Sequence, residues 1–285
     1  RPHGYAIIHE IVRSIGNMSN IFFAITAVVL YLWVAFRLAR RLVQGTHVVL
    51  DKRLPIAVGM GAMTLHGLVL YTTVLTLDGV NLSFFHATSL LTWMVALLVL
   101  VTSIYRPVEN LAIAVLPLAA LSVLLGLLFP GMNTVLDDRD IGLKIHILIS
   151  VLAFSVLTLA AIQAALLAIQ NNHLRTRRPG GFIRMLPPLE TMETLLFKMI
   201  GLGFALQTLS LISGFAFLED MFLQHKAHHT LLSFTAWLVF AILLWGRFRF
   251  GWRGRTAIRW TGGGFFVLLL AYLGSKLVLE LVLRR

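Results

Sequence analysis

Apolar runs long enough to cross a lipid bilayer recur along this entire chain, and no long polar block separates them. A transmembrane helix needs about 20 apolar residues to traverse the hydrocarbon core. Eight runs are drawn on that basis: Ile21–Phe36, Leu54–Leu77, Leu82–Ser103, Val108–Phe129, Ile141–Ile169, Leu195–Leu218, Thr230–Trp245 and Gly262–Val282. The first and seventh are short, and flanking Tyr, Trp, His and Arg side chains can complete them at the interface. A chain with 58% hydrophobic and 13% charged residues cannot clothe a soluble surface. The runs are continuous and do not alternate, which argues against a β-barrel. The expected fold is all-α: one polytopic membrane domain of about eight helices over residues 18–285.

Orientation follows from the basic residues of the short loops, which are retained on the cytoplasmic side during insertion. Arg37, Arg40, Arg41, Lys52 and Arg53 follow the first run; Arg175, Arg177, Arg178 and Arg184 follow the fifth; Arg247, Arg249, Arg253, Arg255 and Arg259 follow the seventh. The alternate loops carry Asp78, then Asp137, Asp138 and Asp140 around Arg139, then Glu219 and Asp220 with Lys226. The basic loops are therefore placed inside, the acidic loops outside, and both termini outside. The net charge of +12 has the same origin, so it points to anionic membrane lipid and not to nucleic acid. The absence of cysteine excludes disulfides, thiolate metal sites and covalent haem attachment to this chain.

Residues 1–17 differ from the rest. Ile8, Ile11, Val12 and Ile15 would line one side of a short amphipathic helix suited to a membrane surface. Met18, followed by Ser19, Asn20 and an apolar run, reads as a natural start, so this segment is expected to be either a surface helix or an upstream extension. Peptides from residues 1–17 in the native protein would argue against the second reading.

The histidines gather toward the outer face. His86 lies about one turn into the third run, His146 about one turn into the fifth, and His228 and His229 at the entry of the seventh, with His225 close by. Imidazole ligates haem iron, zinc and copper, and an ionisable group within a span is a functional candidate by default. An interfacial histidine can equally satisfy its nitrogens with water or a carbonyl. His66 stands apart near the middle of the second run, where it cannot reach water; Gln163 and Gln207 are candidate partners for a structural imidazole. Lys276 and Glu280, four residues apart, share a helix face near the outer leaflet; the ammonium of Lys276, or of Lys144, could hold a carboxylate such as a haem propionate. Gly59 with Gly61, Gly201 with Gly203, and Gly262 to Gly264 permit close helix packing. The stretch Arg184 to Glu193 reads as a helix start, with Pro187 and Pro188 before carboxylates at its positive end. The sequence carries no glycine-rich phosphate loop, nucleophile triad or HExxH.

The run from Leu186 to Gly214 resembles a helix of the cytochrome c assembly superfamily, which includes CcsA, CcmC and HemX. The helix led by His146, through Ser155, and the segment Ala236 to Arg247 are similar to two further helices of that family. Leu244 to Arg255 and Tyr272 to Lys276 resemble the YpjD-like inner-membrane subgroup. The resemblance extends from Met18 to the C-terminus. It implies a bacterial inner-membrane protein that binds or handles haem b. His66 falls at the family's first membrane histidine and His146 at its first outer one, whereas Trp245 and the neighbourhood of Leu283 occupy the positions of their partners. The tryptophan-rich WWD segment of haem-handling members is replaced by residues 217–229.

The leading expectation is a haem b site at the outer face built on His146, with His66, His86, His228, His229 and Lys276 as further cofactor-binding candidates. His146, His86 and His228 are the candidates for the iron. One alternative is a non-catalytic subunit that docks a second membrane protein. Another is passage of a metal ion or small solute through His86, His146 and His228.

Overall fold

The computed structural model describes residues 3–44, 52–76, 79–81, 83–105, 108–129, 135–136, 141–176, 186–217 and 227–274, with side chains of residues 3–17, 42–44, 75–80, 135–136, 217, 227–228 and 273–274 left undescribed. Eight helices follow in order: α1 (His3–Gln44), α2 (Arg53–Val74), α3 (Phe84–Tyr105), α4 (Glu109–Leu128), α5 (Ile141–Arg175), α6 (Leu189–Phe217), α7 (Ala227–Phe250) and α8 (Gly254–Leu269). Among the described residues, seven helices are long and apolar enough to cross a membrane. The eighth, α8, has 16 residues and continues into a five-residue π-helical turn, Leu270–Gly274, which brings the helical path to about 30 Å. The all-α membrane architecture is therefore as the apolar runs imply.

Around the basic loops after the fifth and seventh runs, the helices extend beyond the apolar runs. α5 continues to Arg175, α6 begins at Leu189, α7 continues to Phe250 and α8 begins at Gly254, each well into an arginine-bearing segment. Hydropathy reports where hydrocarbon stops, but the backbone can go on hydrogen-bonding through the headgroup layer while long basic side chains reach water. α1 runs unbroken from His3 to Gln44, so the helix expected over the first residues is continuous with the first span.

Two apolar cores divide the chain. Tyr31, Leu100, Leu111 and Leu116 lie at the centre of the first, which gathers α1 to α4. Leu157, Leu196, Ile200, Phe240 and Leu243 lie in the second, which gathers α5 to α8. The halves meet where α3 packs along α5, and Leu91 and Leu159 each enter the core of the other half. Large side chains such as Phe22, Leu148, Leu202 and Ile212 remain exposed, a surface suited to acyl chains and not to water.

Polar contacts fix which helix ends share a face. At one end the Lys52 ammonium meets Glu109 at 3.4 Å and donates to the Ser103 carbonyl at 3.2 Å, joining α2, α3 and α4. The Gln170 amide donates to the Pro187 carbonyl at 2.9 Å, joining α5 to the entry of α6 at that same arginine-rich end. At the opposite end a small antiparallel sheet forms in the order β1 (Leu75–Thr76), β2 (Gly79–Asn81) and β3 (Val135–Leu136). Its pairs Val80 with Leu136 and Asn81 with Val135 tie the lead-in of α3 to that of α5.

The glycine pairs split. A Cβ on Gly203 would lie 2.6 Å from Leu157 Cγ and one on Gly59 2.9 Å from Leu100 Cδ2, whereas Gly61 and Gly201 face open space. Residues two apart point about 200° away from each other on a helix, so only one of each pair can face the neighbouring helix.

Candidate functional site

His66 is fully buried between three helices. Its Nε2 shares a hydrogen bond with Ser89 Oγ of α3 at 2.8 Å, and its Nδ1 lies 3.4 Å from Tyr31 Oη of α1. The Tyr31 and His66 rings also meet edge to face at 5.9 Å. Neither glutamine singled out as its partner reaches it: Gln163 donates to the Met192 carbonyl and Gln207 to that of Ser233. Each glutamine instead bridges neighbouring helices of the second half, where a carboxamide can replace a contact that lipid cannot supply. Trp245, which stands where the family has a second membrane histidine, is 62% exposed and packs against Phe250. The His66 ring is fully buried with Nε2 bonded to Ser89, and Trp245 is turned outward, so the inner position does not fit a haem.

His146 is different. Its Nδ1 lies 3.0 Å from Ser213 Oγ near the end of α6, while its Nε2 lies 3.5 Å from the Ser150 hydroxyl, the limit of a hydrogen bond. Ser150 also donates to the His146 carbonyl at 2.7 Å and contacts Ser210 Oγ at 2.7 Å, so its hydroxyl is already committed. Ser213 thus anchors the ring at Nδ1, and the ring is partly exposed. An axial imidazole needs this division of labour, one nitrogen anchored by the protein and the other available to a metal. The donor set around His146 therefore fits a haem iron.

Two other outer candidates, His86 and His229, stand at the same end of the bundle. His86 is buried in the first turn of α3, its Nδ1 2.8 Å from Ser83 Oγ. β2 and β3 tether the helices that carry His86 and His146, so the two begin at one end of the bundle. His229 approaches Tyr272 at 6.4 Å, and Tyr272 lies 5.3 Å from Phe154 of α5, two turns along from His146. α3, α5 and α7 thus bring histidines to one end, as the shared depth predicts. Lys144 is exposed at the same end. Lys276, Glu280, His225 and Leu283 lie outside the described residues, as does the side chain of His228. Among the described residues, no group of three or more His, Cys, Asp or Glu converges to hold a metal ion.

One built cluster escapes motif reading. Glu193 Oε1 pairs with Arg247 at 3.1 Å, and its Oε2 accepts from the Gly254 amide at 3.4 Å. Arg247 also donates to the Trp252 carbonyl at 3.2 Å and stacks over Phe197 at 4.5 Å. Gly251, at φ +66°, ends α7 by donating its amide to the Arg247 carbonyl at 3.1 Å. The carboxylate read from the sequence as complementing a helix end thus also clamps the α7–α8 turn.

These features sit within a recognisable lineage. A profile of the family described as "Cytochrome C assembly protein" matches residues 54–283. The chain belongs to this family. It is 28% identical over 233 residues to inner membrane protein YpjD of Escherichia coli K12, covering 81% of this chain and 88% of that protein. Cytochrome c biogenesis protein CcsA of Picosynechococcus is 31% identical over 119 residues, which cover 40% of this chain and 34% of that one. No solved structure matches. Relatives of YpjD type are thus matched along nearly their whole length, and CcsA over about a third.

Proposed function

We propose that this chain is an inner-membrane protein of the cytochrome c assembly family that binds haem b at its outer face, with His146 as an axial ligand. The observation that carries the reading is the asymmetry of the His146 ring, anchored at Nδ1 by Ser213 and nearly free at Nε2. His66 offers no such access, since its ring is fully buried and its Nε2 is bonded to Ser89. His86, His228 or His229 would hold the iron together with His146, and Lys276 or Lys144 would place a cation for a propionate. Bound haem would contribute an iron centre; Ser213 orients the His146 imidazole. We assign binding or delivery of haem to this site.

The test is an absorption spectrum of the purified full-length chain, as isolated and after haem addition. A Soret band that His146→Ala abolishes, and that Ser213→Ala broadens or shifts, is the expected result. A protein without a Soret band under either condition sinks the proposal. A second reading, a non-catalytic subunit docking another membrane protein, is favoured by the unassembled inner position at His66 and Trp245. Its test is charge reversal at exposed Arg249, which would abolish co-purification of the partner while leaving the spectrum unchanged. Arg247 is unsuitable for that purpose, because its loss would also release Glu193.

A further inference from the structure

A cavity of about 300 Å³ opens between the last turns of α5 and the first turns of α8, lined by Ala168, Asn171, Asn172, Arg255, Ile258 and Arg259. It lies at the arginine-rich end, because Gln170 ties this part of α5 to the entry of α6 and Glu193 ties that entry to Gly254. Arg255 and Arg259 are four residues apart, so their side chains rise from one face of α8. Neither has an ion-pair partner among the described residues. Glu193 at this end of α6 is already held by Arg247, with Arg253 at 3.9 Å. The neighbouring stretches 176–185 and 246–259 contain no acidic residue at all.

Two guanidinium groups without an ion-pair partner among the described residues, beside two carboxamides whose NH2 groups can turn toward the cavity, form a donor-rich surface for an anion with several oxygens. Ala168 and Ile258 give the cavity an apolar side, and Trp252 and Trp260, 5.4 Å apart on the same helix entry, mark the interfacial layer. A free phosphate has no use for the apolar side; a phosphodiester carrying acyl chains does. We propose that this cavity is a binding site for the headgroup phosphate of an anionic phospholipid. Arg255 and Arg259 grip the phosphodiester oxygens, Asn171 and Asn172 bond the glycerol-side oxygens, and the acyl chains descend past Ile258. The site clamps α8 to α5 on the inner leaflet, remote from the histidines at the other end of the bundle.

The test uses the full chain, delipidated in detergent and titrated with phosphatidylglycerol, phosphatidylcholine or inorganic phosphate while adducts are counted by native mass spectrometry. Wild type should retain phosphatidylglycerol about tenfold better than the Arg255→Gln/Arg259→Gln double variant, each arginine contributing a similar share. The variant Arg249→Gln removes an exposed arginine elsewhere and should retain lipid as wild type does. Should the double variant elute as aggregate, Asn172→Asp, which places a carboxylate in the cavity, should still weaken retention. Equal retention by wild type and Asn172→Asp, equal retention of the two lipids, or displacement of the lipid by millimolar inorganic phosphate would each overturn the proposal.

Discussion

At the scale of single residues, the two family histidines have opposite surroundings. His66 is held by Ser89 and Tyr31, and deleting a partner in hydrocarbon leaves an imidazole nitrogen with nothing to bond. Interhelical hydrogen bonds in membranes contribute about 0.6 kcal/mol on average and up to about 1.7. Ser89→Ala should therefore lower stability by about 1 kcal/mol, and Tyr31→Phe by less because its contact is 3.4 Å long. Thermal unfolding in detergent measures both, and neither change should alter a haem spectrum; a lost Soret band in Ser89→Ala would return His66 to the ligand set. Ser213→Ala should leave stability within about 0.5 kcal/mol, since the ring is partly exposed, yet perturb any haem that His146 holds. The position of His66 mid-span was legible in the sequence. Its partners were not, because residues 31, 66 and 89 are joined only when α1, α2 and α3 pack.

At the scale of elements, close approach and one ion pair set how the second half assembles. Gly203 faces Leu157 across the α5–α6 contact and Gly201 faces open space, so identical substitutions should have opposite effects. Gly203→Ala is expected to cost about 1–3 kcal/mol through overpacking. Gly201→Ala should stabilise α6 by up to about 1 kcal/mol through helix propensity. Equal effects on the unfolding midpoint would contradict this account. Glu193 is 16% exposed and Arg247 26%, against 67% for Arg253. Glu193→Ala should accordingly cost about 2 kcal/mol, because Arg247 would be left unpaired, and Arg253→Ala no more than about 0.5. Limited proteolysis in the α7–α8 turn would report the difference. The sequence showed acidic residues near a helix start and a basic segment some 50 positions later; only the shared end of α6 and α7 makes them a pair.

For the whole molecule, the alternation of charge along the chain predicts a direction through the membrane that contact geometry alone cannot assign. The natural absence of cysteine makes this simple to check. Ile141, 70% exposed at the start of α5, and Phe248, 96% exposed near the end of α7, mark the two faces. A membrane-impermeant maleimide applied to right-side-out vesicles should label Ile141→Cys and spare Phe248→Cys; the reverse pattern would invert the topology. The sequence by itself determined the all-helical membrane class, the number of apolar runs, the end at which histidines collect and the family. Those properties depend on hydropathy, charge and local pattern, each carried by residues near one another in the chain. Only the tertiary structure decided that His66 is fully buried while the His146 ring is partly exposed, that one glycine of each pair meets a neighbour, and that Arg255 and Arg259 face a cavity whose described lining holds no acid. The reason is physical: an imidazole's exposure, a steric contact and an uncompensated charge are properties of what surrounds a side chain, and those surroundings come from helices distant in sequence.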